Sequence, residues 1–342
     1  MTSEGGDARR VLITGTSGFV ASHVAALFMQ RGYSVFGLDI REPGPTSPHG
    51  LRHHTCDLLD RVATSRVLED VRPEIVLHLA ARTDLAERET LSGYAANIEG
   101  VDSLCEAVAR VGSVKRSICT SSQLVNRIGS RPASDEDFNP TTLYGESKVL
   151  TEQAWRKHDG AGTVWTIVRP TTIWGPGMNA HYLTFFQMLR SGHYFHVGRV
   201  PTLKSYGYVG NTAYQYLQLV NADADSVHRK VFNLADYEPI SLQEWAEEFR
   251  TRLDGPPIRT VPFWAAKGVA LAGDVVNALG ARSIPFNSFR LNNVITPHRA
   301  DMERTREVCG PLPYSTTDGI ALTSQWLRSA LSAPLPAEAH AW

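Results

Sequence analysis

The sequence is short of several things, and each shortage excludes a class of function. Its 342 residues include four cysteines, Cys56, Cys105, Cys119 and Cys309, with no two at metal-ligand spacing. That pattern excludes a zinc ribbon or a disulfide framework and reads as buried, reduced thiols with no metal site. Net charge is −1, so no basic surplus argues for nucleic acid. No apolar run approaches the roughly 18 residues of a spanning helix. The most apolar stretch, residues 261–279, is interrupted by Lys267 and Asp274. It is expected to form an amphipathic helix on the protein's own surface rather than at a membrane. Residues 1–10 lack the apolar core of a signal peptide, and a cytoplasmic location is expected. No internal repeat is visible.

What is present is organised around residues 11–27. Val11-Leu12-Ile13 is followed by Thr14-Gly15-Thr16-Ser17-Gly18-Phe19-Val20-Ala21 and then a helix-like pattern. Strand, glycine turn and helix start suit a dinucleotide pyrophosphate, because a helix N-terminus offers unpaired N–H groups and the positive end of its dipole. Gly15 permits the sharp turn, and Gly18 lets backbone approach the phosphates; Ala21 stands where a third glycine is common. Asp39 closes a second apolar run about 20 residues beyond the turn, where a carboxylate binds the ribose hydroxyls of NAD. Arg41 is near enough to accommodate a 2′-phosphate instead.

Further strands are expected at 51–56, 75–81, 115–120 and 163–168, alternating with helices capped or opened near Asp60, Tyr94 and Tyr144. The unalternated run Ile75-Val76-Leu77-His78-Leu79-Ala80-Ala81 suits a parallel strand buried on both faces. The order predicts an α/β fold, a Rossmann-like doubly wound parallel sheet. Asp57-Leu58 at a strand end are placed to reach an adenine. From Thr171 the strands shorten and aromatics cluster, among them Trp174, Tyr182, Phe185, Phe186, Tyr194, Phe195, Tyr206, Tyr208, Tyr214 and Tyr216. This suggests a smaller, substrate-facing α/β region. We read residues 1–170 as the NAD-binding domain, 171–332 as mainly substrate-binding with some strands returning to the sheet, and 333–342 as a flexible tail. Ser241 is expected to cap one helix and Thr316 or Thr317 the last.

Tyr144 and Lys148 lie four apart, hence on one helix face. A lysine cation within about 4–6 Å lowers a neighbouring acid's pKa by roughly 1–3 units, which brings a tyrosine toward proton exchange at neutral pH. Ser122, at a strand's carboxyl end, can hold the same substrate hydroxyl.

These residues resemble the short-chain dehydrogenase/reductase superfamily in its extended form, the NAD-dependent epimerase/dehydratase family. Residues 14–21 look like its glycine motif, His78 to Ala81 its fourth-strand motif and Asn97-Ile98-Glu99-Gly100 its helix motif with a structural or active-site Asn. Thr120-Ser121-Ser122 with Val125 looks like the strand ending in the catalytic hydroxyl, and Arg169-Pro170 with Gly175-Pro176-Gly177 like the motif after the sixth strand. The resemblance implies NAD as cofactor, contacts from Leu79, Ala80, Ala81 and Asn97, and substrate contacts from Arg82, Thr83, Gln123 and Thr172. It also implies a homodimer packed through the helices that start near Tyr94 and Tyr144. Most relatives act on nucleotide-diphosphate sugars. Sugar dehydratases carry Asp-Glu after the catalytic hydroxyl, where this chain has Gln123 and Leu124, so an epimerase or keto-sugar reductase, acting at C4, is expected. Lys204 and Arg290 are candidate cations for the diphosphate. Departures at Asn126-Arg127, Thr172 and Gly210-Asn211 leave open a hydroxysteroid-dehydrogenase-like oxidoreductase on an apolar alcohol. A non-catalytic NAD-binding regulator is the reading from another class, although such relatives typically lose the Tyr or Lys retained here.

Overall fold

The computed structural model describes residues 8–44, 47–84, 90–178, 180–198, 201–278 and 286–331; the tail 333–342 lies outside them. In chain order the first elements are β1 (Arg10–Thr14), α1 (Phe19–Gln30), β2 (Ser34–Asp39), β3 (Arg52–Thr55), α2 (Arg61–Val71), β4 (Ile75–His78), α3 (Ala95–Val111), β5 (Arg116–Thr120), α4 (Leu143–Lys157) and β6 (Val164–Pro170). There follow β7 (Thr172–Trp174), α5 (Ala180–Ser191), β8 (Phe195–Val197), β9 (Leu203–Lys204), β10 (Tyr206–Tyr208), α6 (Val209–Asn221), α7 (Ala224–Val227) and β11 (Lys230–Leu234). The last are β12 (Ile240–Ser241), α8 (Leu242–Arg252), β13 (Arg259–Val261), α9 (Phe263–Ala278), α10 (Ser288–Ile295), α11 (Glu303–Cys309) and α12 (Thr316–Ala330).

Two compact units emerge. The first joins residues 1–173 with 209–235 and 301–313; the second holds 174–208, 236–300 and 314–342. The sequence boundary near 170 therefore marks a first crossing, after which the chain returns to the first unit twice. The return that matters is β11, whose Phe232 pairs with Val168 and extends the sheet beyond β6.

The first unit is a seven-stranded sheet in the order β11-β6-β5-β4-β1-β2-β3, parallel throughout. Val11, Leu12 and Ile13 are fully buried and pair with Val35, Phe36 and Gly37 on one side and Ile75, Val76 and Leu77 on the other. Side chains alternate across the sheet, so each face needs its own apolar layer. One layer combines Val11, Ile13, Val24, Phe28, Tyr216, Leu217 and Val220, and the other Leu12, Leu68, Val76, Leu104, Val108 and Trp155. The strand order reverses at β1, between β4 and β2, the switch point where open α/β sheets bind ligands beyond the strand ends.

In the second unit a subset of the aromatics forms a core. Trp174 packs on Tyr208, Trp245 and Phe249 at 5.2, 5.6 and 5.8 Å between ring centroids, and Phe186 meets Phe249 at 4.7 Å. Trp174, Phe186 and Phe249 are fully buried, so part of the expected cluster is core, while Phe185, Tyr194, Phe195 and Tyr206 are partly buried and Tyr182 is exposed. Tyr214 and Tyr216 belong to α6, in the first unit. Ser241 caps α8 by accepting from Glu244 N. The last helix is capped by Ser315, one residue before the expected threonines, with Asp318 completing a capping box.

Candidate active site

Turn chemistry places the first group of residues. Gly15 has φ +80°, and a Cβ there would stand 2.7 Å from Ala80 N, so the glycine turn and the end of β4 touch through backbone alone. Thr14 ties them further. Its hydroxyl accepts from Leu79 N at 3.2 Å and Ala80 N at 3.1 Å and pairs with His78 Nδ1 at 2.9 Å. This is why β4 stops at His78, three residues short of the expected strand. Gly18 opens α1 with no side-chain cap, leaving first-turn N–H groups free of side-chain competition at the place a pyrophosphate requires. Asp39 is buried at the end of β2, and its carboxylate accepts from Ser17 N and Arg41 N, each at 3.0 Å. The Arg41 guanidinium turns back to Ser17 O at 3.3 Å. A buried anion beside an uncapped helix start fits NAD: Gly15, Ser17 and Gly18 with the partly buried Phe19 and Val20 are the candidates to hold the phosphates, and Asp39 is the candidate to hold the ribose.

Other sequence candidates have different duties. Asn97 is fully buried, accepts from Arg82 N at 2.8 Å, and donates to Arg82 O and Ser147 Oγ, each at 3.0 Å. Both amide protons are used, so this side chain clamps the segment after β4 to α3 and α4 rather than a cofactor. Leu58 is a core side chain packed beside Gly100, and Asp57 accepts from Leu59 N in a local turn. Arg82 pairs with Asp84 at 2.6 Å, donates to Gly93 O and covers the Tyr94 ring. Thr83 is exposed, and Thr172 is partly buried at the start of β7.

The catalytic candidates converge at the carboxyl end of β5 and the start of α4. Ser122 is buried, and its hydroxyl accepts from Leu124 N at 3.1 Å. Thr142 caps α4 through Gly145 N, and a Cβ on Gly145 would stand 2.2 Å from Leu124 O. Only glycine lets the first turn of α4 press against the turn that follows Ser122. Tyr144 is buried there with its ring 6.1 Å from Tyr94. Lys148, one turn later and 2% exposed, donates from Nζ to Thr120 O at 2.8 Å. Burial pushes its pKa down to about 8, with Cys119 and Glu152 opposing. Farther along α4, fully buried Glu152 takes a fork from Arg169 at 2.7 and 2.8 Å. Arg169 thus braces the catalytic helix from β6.

Three contributors escaped the sequence reading. Thr120 presents its carbonyl to Lys148 and its hydroxyl to Tyr216 Oη, 2.7 Å away on α6. His78 is buried and stacks on Trp155 at 6.1 Å, and burial with the Lys148 charge lowers its pKa to about 3, so it is neutral. Thr14 was read only as part of a glycine motif. All three are polar residues inside apolar strands, a pattern whose meaning depends on neighbours distant in sequence.

In the second unit Lys204 is buried, and its ammonium caps α10 by donating to Asn293 O and Thr296 O. Desolvation lowers its pKa to about 8. Two of its three donors thus serve the C-terminal carbonyls of a helix, a structural duty that competes with the diphosphate role expected of it. Arg290, partly buried on α10 near Tyr182, keeps a pKa lowered by desolvation. Gln123 has a buried Oε1 with no partner among the described residues. Among the described residues no group of three or more His, Cys, Asp or Glu could hold a metal ion, and no helix is long and apolar enough to cross a membrane.

Comparisons with known proteins agree with this geometry. The chain is 28% identical over 278 residues to 3β-hydroxysteroid dehydrogenase/Δ5→4-isomerase of Mycobacterium tuberculosis, covering 74% of each chain. It is 29% identical over 170 residues to UDP-glucose 4-epimerase of Bacillus subtilis, covering 46% of this chain and 50% of that one. Its fold matches the structure of UDP-glucose 4-epimerase from Thermotoga maritima with UDP-glucose at a TM-score of 0.74 and 20% identity, over 94% of this chain and 99% of the other. The profile of the NAD dependent epimerase/dehydratase family matches residues 11–235, which span the glycine turn, Asp39, Ser122, Tyr144 and Lys148. The chain belongs to the NAD dependent epimerase/dehydratase family and is an NAD-dependent enzyme of the extended short-chain dehydrogenase/reductase type.

Proposed function

We propose that the enzyme is an epimerase or keto-sugar reductase acting on a nucleotide-diphosphate sugar, with C4 as the reacting carbon. The observation that carries this reading is the site around α4. Tyr144 and Lys148 share one face, Ser122 follows the carboxyl end of β5, and Gln123-Leu124 come next in place of the carboxylates that an elimination needs. Bound NAD supplies the hydride acceptor and donor. With NAD bound, Tyr144 would take the proton of the carbinol oxygen on oxidation and return a proton to that oxygen on reduction. Lys148 favours the phenolate, and Ser122 fixes the oxygen. A set that exchanges one proton and one hydride supports inversion or reduction; dehydration needs a further acid and base.

Nucleotide handling is supported by the likeness of fold to the Thermotoga enzyme and by the Bacillus relative. With Lys204 engaged on α10, Arg290 is the remaining candidate for the diphosphate. Lys204→Met is expected to leave the affinity for nucleoside diphosphates within about twofold by calorimetry. Loss of a direct charge-assisted contact would instead cost about tenfold or more. The hydroxysteroid-dehydrogenase-like reading keeps one specific support: the mycobacterial relative matches 74% of the chain, against 46% for the Bacillus epimerase.

The deciding experiment is mass spectrometry of small molecules released on denaturing the purified protein, followed by thermal shift with UDP, GDP, CDP and dTDP. Released NAD with stabilisation by one diphosphate is the expected result. Indifference to all four, with turnover of a steroid or similar alcohol using free NAD, would move the assignment to the apolar-alcohol class. NAD binding with no turnover of either class, unchanged by Tyr144→Phe, would leave a regulator.

A further inference from the structure

The helix α9 is turned inside out. Its buried positions are the small residues Ala266, Ala270 and Gly273, which pack toward α10 with Leu291. Its large apolar side chains face away: Trp264 is 77% exposed, Val275 60%, Val269 54%, Leu271 51% and Phe263 48%. Trp264, Leu271 and Val275 follow an i, i+7, i+11 spacing and form one stripe. The sequence expectation is an amphipathic helix on the protein's own surface; α9 is such a helix, and the face it lays on the protein is the one with small residues. An exposed, contiguous apolar stripe headed by an aromatic pair signals an interaction surface.

Charge and size choose the occupant. Asp274 is withdrawn from the stripe, with its carboxylate accepting from Ser288 N at 3.2 Å. The exposed Lys267 flanks the stripe, and exposed Arg259 precedes the helix. From residue 259 to the end of α9 the sequence holds Arg259 and Lys267, both exposed, against Asp274 alone. A second copy docking here is poorly matched in area. A helix of 16 residues is about 24 Å long, and one face of it buries on the order of 400 Å² per partner, against roughly 800 Å² per partner in a stable interface. A bilayer surface needs no such closure. It accepts a short apolar stripe in its interfacial layer, favours tryptophan at the headgroup level and, when anionic, attracts flanking cations.

We propose that α9 is a membrane-surface docking helix that seats its Trp264–Leu271–Val275 stripe in an anionic bilayer. The reading is independent of the substrate, because neither NAD nor turnover enters its test. The test is co-sedimentation of the full chain with sucrose-loaded vesicles, either phosphatidylcholine alone or phosphatidylcholine with phosphatidylglycerol in equal parts. The expected result is binding to the mixed vesicles, weakened roughly fivefold for each engaged basic side chain when the anionic lipid is omitted. The double variant Trp264→Ser/Val275→Ser should bind about tenfold more weakly or worse, with an unchanged melting curve because both positions are exposed. No sedimentation with mixed vesicles, or equal sedimentation of the double variant, would overturn the proposal. So would self-association that the double variant abolishes in the absence of vesicle binding, which would assign the stripe to a second copy.

Discussion

Tyr144→Phe is expected to lower kcat about 10³-fold while NAD binding and the melting temperature stay close to those of the parent, since a positioned general acid–base contributes roughly 10²–10⁴. The substitution removes one oxygen. The ring remains buried on α4 against Tyr94, at 6.1 Å between centroids, so packing is retained. Hydride transfer without proton transfer would leave an alkoxide or demand one, and no other group on this helix face replaces the phenol. Steady-state and single-turnover kinetics on the substrate found by the screen above would check it. A variant keeping more than about a tenth of the parent rate would remove Tyr144 from the proton-transfer step and with it the proposed reaction.

Lys148→Met should separate function from stability. Turnover is expected to fall by about 10³-fold or more, because the proposed reaction assigns to the Lys148 charge the task of favouring the Tyr144 phenolate. The NAD-free protein should nevertheless become more stable. Lys148 is buried, with a folded pKa near 8 against an ordinary value of 10.5. Below pH 8 it is protonated in both states, and the depressed pKa costs the fold about 3 kcal/mol. Between pH 8 and 10.5 the unfolded chain holds more protons, so this group makes stability rise with pH across that window and contributes no slope outside it. Methionine removes the desolvated charge but leaves Thr120 O without its donor, which returns about 1 kcal/mol. A net gain near 2 kcal/mol at pH 7, with a flatter profile between pH 8 and 10.5, is expected from denaturant melts. Loss of stability at pH 7 would show instead that the Lys148–Thr120 bond outweighs desolvation. Such a trade of stability for chemistry is common at catalytic sites.

How much was legible beforehand differs residue by residue. Gly15, Gly18 and Asp39 could be read because each rests on a local requirement: a positive φ, a close backbone approach, a strand-end anion. Tyr144 and Lys148 were legible because i and i+4 share a face on any helix. Ser241 was found as a cap for the same reason, and Ser315 was missed by one residue because two threonines beside it satisfy the same local rule.

Lys204 and Asn97 could not be assigned. A lysine before an aromatic strand reads alike whether it meets a diphosphate or a helix C-terminus, and only the arrival of α10 decided for the helix. Asn97 was placed at the cofactor, but a segment 15 residues away and a serine 50 residues away use its side chain fully. Among the aromatics after Thr171, the sequence could not separate the buried Trp174, Phe186 and Tyr208 from the exposed Tyr182, because burial depends on which side chains distant in sequence they meet.

By itself, then, the sequence determined the parallel sheet, the glycine turn and the Tyr144–Lys148 pair, since period, turn chemistry and helical spacing act over a few residues. That some strand returns to the sheet was expected, but tertiary structure alone decided that it is β11 beside β6, that Thr120 holds Lys148, and that α9 turns its large side chains outward. Each of these depends on partners far along the chain. A helix rich in alanine, glycine and valine has two faces apolar enough to bury, and periodicity cannot say which one the fold will choose.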